Sequence, residues 1–162
     1  MAGSGTDGAL GPDELDALEA RVDAWFEQEA AANPMVAAVD RGERGERRWY
    51  VRVRGEEKDV FTLWFTLGQR TLRYETYVMP APEENHAAFH EHLLVRNRTL
   101  YGWSFAIGEE SAVFLMGAVG VEALATEEVL AATLDRVLGS GWAYVEQCFR
   151  PALRIGYASK FQ

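Results

Sequence analysis

Residues 48–79 read RWYVRVRGEEKDVFTLWFTLGQRTLRYETYVM and contain three runs that are rich in β-branched and aromatic residues. Apolar and polar side chains alternate along Arg48–Arg54, which is typical of a strand with one buried face. Val60–Leu67 is apolar on both faces, so we expect it to lie centrally and to be sheltered on both sides. Because the breaks around this run are short enough for hairpins, the segment predicts an antiparallel meander completed by Thr71–Met79.

Helical periodicity is found on both sides of the meander. Pro12–Ala32 has apolar residues at helical spacing and acidic residues in its first turn, which favours a helix. Pro82, followed by two glutamates, predicts the start of a second helix that ends near Arg98. The sequence therefore predicts a helix before and a helix after the first three strands.

The remaining chain supplies a second hairpin and a third helix. Trp103–Gly108 and Ala112–Ala118 are strand candidates around a short polar turn. A last helical region begins at Thr126; two glycines weaken its middle, and Pro151 predicts a bend or a restart. Met35–Val39 is short and apolar, and we interpret it as a connection.

The order α-β-β-β-α-β-β-α predicts an α+β domain in which three helices pack on an antiparallel five-stranded sheet. We expect this single domain to span residues 12–162. Residues 1–11 contain four glycines, with Leu10 as the large apolar side chain, so they predict a disordered tail.

Composition limits the class of partner. The 162 residues carry a formal net charge of -9 and a sequence pI near 4.8, which disfavours binding to nucleic acid or anionic lipid. No apolar run has the length of a membrane span, and residues 1–15 lack the basic start and apolar core of a signal peptide. We therefore expect a cytoplasmic protein that binds neither nucleic acid nor membrane.

Residue types that could carry chemistry are few. His86 and His90 have the i, i+4 spacing of a metal pair but no third ligand fixed by spacing, so they are weak candidates and no metal is expected. Cys148 has no identifiable catalytic His and Asn arrangement and fits a small buried hydrophobe. The paired glutamates lie in turns or at helix starts. We predict no catalytic residue and no cofactor, and an enzyme is the least favoured function.

Aromatic and arginine side chains are concentrated in the predicted strands. If the helices cover one face of the sheet, part of this set is left on the other face, where Tyr, Trp and Arg are typical of an interface. We predict that this interaction surface includes Tyr50, Arg52, Trp64, Arg73 and Tyr77. The alternatives are a twisted sheet with helices on both faces, or a solvated face with salt bridges at its rim.

Five stretches taken together, in order, resemble one known family: WYVRVRGEEKDVFTLWFT from residue 49, YVMPAPEEN from 77, LLVRNRTL from 93, FAIG from 105 and YVEQCFRPALRI from 144. The chain resembles the YbjN family, bacterial proteins described as sensory transduction regulators, over residues 15–161. This family is similar in fold to type III secretion chaperones of the Tir type. The resemblance implies a non-catalytic protein that pairs as a homodimer and binds other proteins.

The positions that match the family's motifs form a second candidate site: Pro80, Pro82, Glu83, Glu84, Asn85, Arg96, Asn97, Arg150 and Pro151. Proline stops, a helix start and polar ties between helices and sheet explain these residues structurally, and this interpretation is favoured over a binding role. Two functions follow from the sequence. The first is a protein-interaction module, and the alternative is a small-ligand or metal sensor with a pocket between sheet and helices near Asn85, Arg96 and Asn97.

Overall fold

The computed structural model describes residues 8–161, in which the alternating segments form a six-stranded antiparallel sheet in the order β1-β2-β3-β4-β6-β5. The elements in chain order are α1 (Pro12–Ala32), β1 (Val36–Arg41), β2 (Arg48–Arg54), β3 (Val60–Leu67), β4 (Thr71–Met79), α2 (His86–Asn97), β5 (Ser104–Ile107), β6 (Val113–Gly120) and α3 (Glu127–Gly156). Short 3-10 turns span Glu109–Ser111, Val121–Leu124 and Ala158–Phe161. The predicted α+β class is confirmed, with helices packed on an antiparallel sheet.

The prediction of five strands is wrong, because the segment interpreted as a connection is the edge strand β1. It pairs with β2, with Val39 opposite Val51, and contains a register shift between Val36 and Ala38. Alanine has a low strand propensity, and the bulge removes the period-two alternation, so the local sequence carries little strand signal. The Arg54 guanidinium also donates to the Pro34 carbonyl at 2.6 Å, which fixes the entry of this strand.

The core lies between the sheet and the helices. Phe26 of α1 packs against Phe65 of β3, with ring centroids 4.9 Å apart, and against Trp49 of β2 at 5.8 Å. Trp103 lies against Tyr74 at 4.5 Å and donates its indole N–H to the Val137 carbonyl of α3 at 3.2 Å. One face of the sheet is thus sealed by aromatic contacts to α1 and α3.

The opposite face of the sheet carries no helix within residues 8–161, and the prediction that β3 is sheltered on both sides is wrong. The strand is central, but Val60 is 50% exposed, and Thr62, Trp64 and Thr66 are only half-buried. Two rows of apolar side chains on one strand therefore do not require two covering layers.

Two helix ends also differ from the sequence expectation. The second helix begins at His86 rather than Pro82, because Asn85 adopts left-handed backbone angles (φ 53°) that interrupt it. α3 does not restart at Pro151 and continues through its two glycines. A Cβ at Gly141 would lie 2.4 Å from the Trp103 ring, so this glycine permits close packing of helix against sheet.

The predicted disordered tail falls partly outside the described residues, which begin at Gly8. The Leu10 backbone N–H donates to the Gln69 carbonyl at 2.9 Å, and the Leu10 side chain packs against the core. The chain just before α1 is thus attached to the β3–β4 turn.

The open face of the sheet as candidate functional site

Side chains from four strands line up across the uncovered face of the sheet. Tyr50 of β2 lies opposite Trp64 of β3, Trp64 opposite Glu75 of β4, and Glu75 opposite Met116 of β6. We call this surface the open face and define it by the outward side chains Tyr50, Arg52, Trp64, Thr66, Arg73, Glu75, Tyr77, Phe114 and Met116. The five residues predicted as an interaction surface are all members of it.

Other aromatic residues of the two hairpins lie on the inner face, which is the face covered by the helices. Tyr74, Trp103 and Phe105 are at most 6% exposed and belong to the core. Tyr77, by contrast, is 38% exposed and meets Phe114 edge to face, with ring centroids 5.7 Å apart. The strand aromatics are therefore divided between the two faces.

A trough of about 520 Å³ lies along the open face. Its apolar end is lined by Ile107 and Phe114, and its centre by Tyr50, Trp64 and Met116. A second depression of about 300 Å³ shares Trp64 and Met116 with the first. The two form one continuous concave surface rather than two separate sites.

The far end of this surface carries two arginines, of which Arg48 also lies 3.8 Å from the Glu46 carboxylate. Arg48 and Arg73 both line the smaller depression. The Arg48 Nε donates to Thr66 Oγ1 at 3.1 Å, and a hydrogen bond to Tyr50 raises the pKa of Arg48, so the guanidinium is held in place and charged. The Arg73 side chain is exposed and has no hydrogen bond or ion pair within residues 8–161.

The charge of the open face differs from that of the whole chain. The Arg52 side chain, like that of Arg73, is exposed and has no hydrogen bond or ion pair in the described chain. Glu75 at the centre and Asp40 at the β1 edge supply negative charge. A protein of net charge -9 thus presents unpaired guanidinium groups beside exposed aromatic surface.

Lys58 supports Tyr77 from the side of the helices. Its ammonium donates to the Tyr77 carbonyl at 3.2 Å and to the Val78 carbonyl, and lies 5.0 Å from the Tyr77 ring and 5.4 Å from the Phe149 ring. Burial lowers the pKa of Lys58 to about 8. This amine joins the end of β4 to α3.

Glu146 is a structural residue that the sequence reasoning missed. Its buried carboxylate accepts three successive backbone N–H groups of the β2–β3 loop, from Glu56, from Glu57 at 2.8 Å and from Lys58 at 3.1 Å. A Cβ at Gly55 would lie 1.9 Å from the Lys58 backbone carbonyl oxygen and 2.3 Å from a Glu146 oxygen, so the loop needs glycine there. The available signal was a glutamate directly after Val145, within the apolar stripe of the last helix.

The first half of the family-motif residues connects the start of α2 to the end of α3. Backbone N–H groups of Glu83 and Glu84 donate to the Gly156 carbonyl at 2.9 and 3.1 Å, and the Asn85 amide donates to the Ile155 carbonyl at 2.9 Å. Pro82 is buried, whereas Pro80 is exposed. These contacts explain the motif without a ligand.

The second half of the motif attaches α2 to the sheet. The Asn97 side chain accepts from the Phe105 N–H at 2.7 Å and donates to the Phe105 carbonyl at 3.1 Å, so it occupies the free edge of β5. Arg96 donates to His92 at 2.8 Å, and Arg150 pairs with Glu57. The polar atoms of Asn85, Arg96 and Asn97 are engaged in the fold rather than grouped around a pocket between sheet and helices.

The two candidate metal-binding histidines and the cysteine do not lie in arrangements that favour metal binding or thiol chemistry. His86 is exposed and His90 is half-buried, and residues 8–161 contain no group of three or more His, Cys, Asp or Glu side chains able to hold a metal ion. Burial raises the pKa of Cys148 to about 11, which opposes formation of a nucleophilic thiolate.

No helix between residues 8 and 161 is both long enough and apolar enough to cross a bilayer.

Comparison with known proteins supplies a family. The sequence profile of the YbjN family, described as "Putative bacterial sensory transduction regulator", matches residues 20–150. An uncharacterized protein of Mycobacterium tuberculosis (strain ATCC 25618 / H37Rv) is 31% identical over 112 residues, which cover 69% of this chain and 58% of that protein. An uncharacterized protein of Mycobacterium leprae (strain TN) is 30% identical over 118 residues, covering 73% and 61% respectively. The matched region thus spans about three fifths of these relatives.

Proposed function

The chain belongs to the YbjN family, and we propose that it is a cytoplasmic, non-enzymatic binding module that takes up a segment of another protein on its open face. The family is described as a regulator rather than as an enzyme. The observation that carries the proposal is the trough of about 520 Å³ lined by Tyr50, Trp64, Phe114 and Met116. Tyr and Trp, which line the trough, and Arg beside them are the side chains enriched at protein interfaces.

The chemistry of the trough limits the segment that it accepts. Ile107 and Phe114 at one end suit an apolar side chain, whereas Arg48 and Arg73 at the other end suit a carboxylate. Tyr77, which lies opposite Phe114, and Arg73 are four positions apart on β4, or roughly 13 Å along a strand, which favours an extended segment that carries both kinds of residue. The Arg73 guanidinium can pair with an acidic residue without giving up an existing hydrogen bond or ion pair, because it has neither within residues 8–161.

Comparative affinity capture tests the proposal. Wild-type protein, Trp64→Ser and the matched control Val129→Ser are used as baits, since Val129 is 43% exposed but lies on α3, away from the open face. A partner of the open face is enriched by the wild type and by Val129→Ser and is lost with Trp64→Ser. Equal capture by all three proteins would contradict the assignment.

A small-molecule sensor is the second candidate, because the trough volume lies within the range of about 300 to 1,000 Å³ that is typical of ligand sites. Thermal denaturation against a panel of metabolites and divalent metals distinguishes it. A specific ligand raises the melting temperature of the wild type by mass action and does not change the melting temperature of Trp64→Ser. A flat panel favours the protein-binding function.

A further inference from the structure

Three rows of outward side chains cross the strands of the open face. On β4 these rows are marked by Tyr77, Glu75 and Arg73, because every second residue of a strand points to the same side. Tyr77 lies opposite Phe114, and Glu75 lies opposite Trp64. Successive rows are roughly 7 Å apart along the strand, which is also the spacing between alternate side chains of an extended peptide. A segment that runs along β4 would therefore present one side chain to each row.

The middle row contains a carboxylate without a partner. Glu75 is half-buried beside Trp64, and its carboxylate has no hydrogen bond or ion pair within residues 8–161. Arg48, which also lines the trough, contacts Thr66 at 3.1 Å and Glu46 at 3.8 Å instead. Glu75 has thus lost part of its hydration without gaining a donor, and a cation that enters the trough would compensate for this loss.

The aromatic rings around this carboxylate also suit a cation. Tyr50 and Trp64 lie side by side in the middle row, and both line the trough together with Glu75. The side chain of a lysine or arginine is attracted to the face of such rings as well as to a carboxylate. Glu109 is exposed, lines the same trough and adds a second negative charge. The centre of the trough therefore suits a basic side chain, whereas its two ends suit an apolar and an acidic one.

We propose that the segment bound on the open face carries a lysine or arginine at its middle contact position, where this side chain pairs with Glu75 beside the Trp64 ring. The inference rests on the proposed function and adds a side chain that the segment must carry. In either chain direction, the segment has an apolar residue against Tyr77 and Phe114, a basic residue two positions away, and an acidic residue two positions further, against Arg73. A segment without the basic residue would cover the Glu75 carboxylate and leave it unpaired, which disfavours binding.

Selection from a phage-displayed library of random peptides tests this pattern. The baits are the wild type, Trp64→Ser, Glu75→Gln and, as a control, Glu91→Gln, which makes the same change of net charge at an exposed position of α2. Peptides enriched by the wild type and by Glu91→Gln should carry a basic residue between an apolar and an acidic residue at alternate positions. Glu75→Gln should retain the apolar and acidic preferences and lose the basic one. A further bait, Glu75→Arg, should select an acidic residue at the middle position.

Fluorescence anisotropy with one enriched peptide measures the size of the effect. Replacing its basic residue by glutamine should raise the dissociation constant for the wild type at least about fivefold, and that for Glu75→Gln less than about twofold. Glu75→Gln keeps the size of the side chain, and circular dichroism melting checks that every bait is folded.

Two negative results have different meanings. If the wild type enriches peptides that Trp64→Ser loses, but these show no basic preference or keep it with Glu75→Gln, the inference about Glu75 is overturned and the proposed function stands. If the wild type enriches no peptide that Trp64→Ser loses, the proposed function fails and this inference fails with it.

Discussion

Trp64 and Phe65 are neighbours on one strand and are equally apolar in sequence, yet they lie in opposite environments. Phe65 is fully buried between Phe26 at 4.9 Å and Tyr74 at 6.0 Å. Trp64 is half-buried between Tyr50 and Glu75 and lines the trough of the open face. The comparison separates two groups of aromatic side chains: those of the inner face stabilise the fold, and those of the open face are the ones that we propose bind a partner.

The largest effect on stability is expected from a substitution on the inner face. Phe65→Ala should lower the free energy of unfolding by about 3 to 5 kcal/mol, because it leaves a cavity among side chains that cannot all move in. Urea denaturation followed by tryptophan fluorescence measures the loss. A decrease under about 1.5 kcal/mol would mean that the core under β3 is not packed as described.

Glu146 connects α3 to the β2–β3 loop, and removing its carboxylate should lower the free energy of unfolding slightly less than Phe65→Ala does. Glu146→Ala leaves three backbone N–H groups of Glu56, Glu57 and Lys58 without an acceptor, and we expect a loss of about 2 to 3 kcal/mol by denaturant titration. Gln147→Ala, an exposed neighbour on α3, is the control and should be close to neutral. Equal effects at the two positions would rule out the proposed anchoring of the loop.

A substitution at Asn97 tests the edge of the sheet, where β5 has no further strand beside it. Asn97→Ala removes both hydrogen bonds to the Phe105 backbone and should cost about 1 to 2 kcal/mol. Hydrogen exchange of the Phe105 amide should accelerate, whereas the control Ser104→Ala should leave it protected. Unchanged protection in Asn97→Ala would show that this amide has another acceptor.

Lys58 lies between the inner face and the open face, and its titration makes the free energy of unfolding depend on pH. Burial lowers its pKa to about 8, against an ordinary value of 10.5 in the unfolded chain. Between these pH values the unfolded chain binds more protons, so the free energy of unfolding should rise with pH across this range. Lys58→Met lacks this contribution, and subtracting its stability curve from that of the wild type isolates the effect from titrating tyrosines. A difference curve that is flat or falls from pH 8 to 10.5 would be the contrary result.

The smallest effect on stability is expected on the open face. Trp64→Ala should change the free energy of unfolding by about 1 kcal/mol or less, because half-buried surface side chains contribute little to folding. The same denaturation experiment used for Phe65→Ala measures it. A loss equal to that of Phe65→Ala would remove the distinction between the faces and make Trp64 a core residue.

Periodicity was sufficient to predict the elements whose side chains alternate strongly, such as β2, β3 and α1. It was insufficient for β1, since Ala37 and Ala38 carry no pattern and the strand depends on its pairing with β2. It was also insufficient for the surroundings of β3, because a count of apolar rows does not reveal how many helices are available to cover them. The limits of α2 depended on the left-handed backbone of Asn85, which local composition does not encode.

The candidate surface was predictable for a similar reason and within similar limits. The alternation of side chains along the strands places one set of residues on one side of the sheet. The structure brings all five together on the open face: Tyr50, Arg52, Trp64, Arg73 and Tyr77. The sequence did not indicate the contributions of Phe114, Met116 and Ile107, which come from the second hairpin and depend on the pairing of β4 with β6. Glu146 was missed because its hydrogen-bond donors are backbone N–H groups, which have no residue signature.

Site-specific photo-cross-linking in living cells tests the central claim most directly. A photoreactive phenylalanine replaces Tyr77 on the open face or, as a control of similar exposure, Val129 on α3; these side chains are 38% and 43% exposed. The account predicts discrete protein adducts from position 77 that disappear when Trp64→Ser is added, and no such adducts from position 129. Adducts from position 129 alone, or adducts from position 77 that are unaffected by Trp64→Ser, would contradict it.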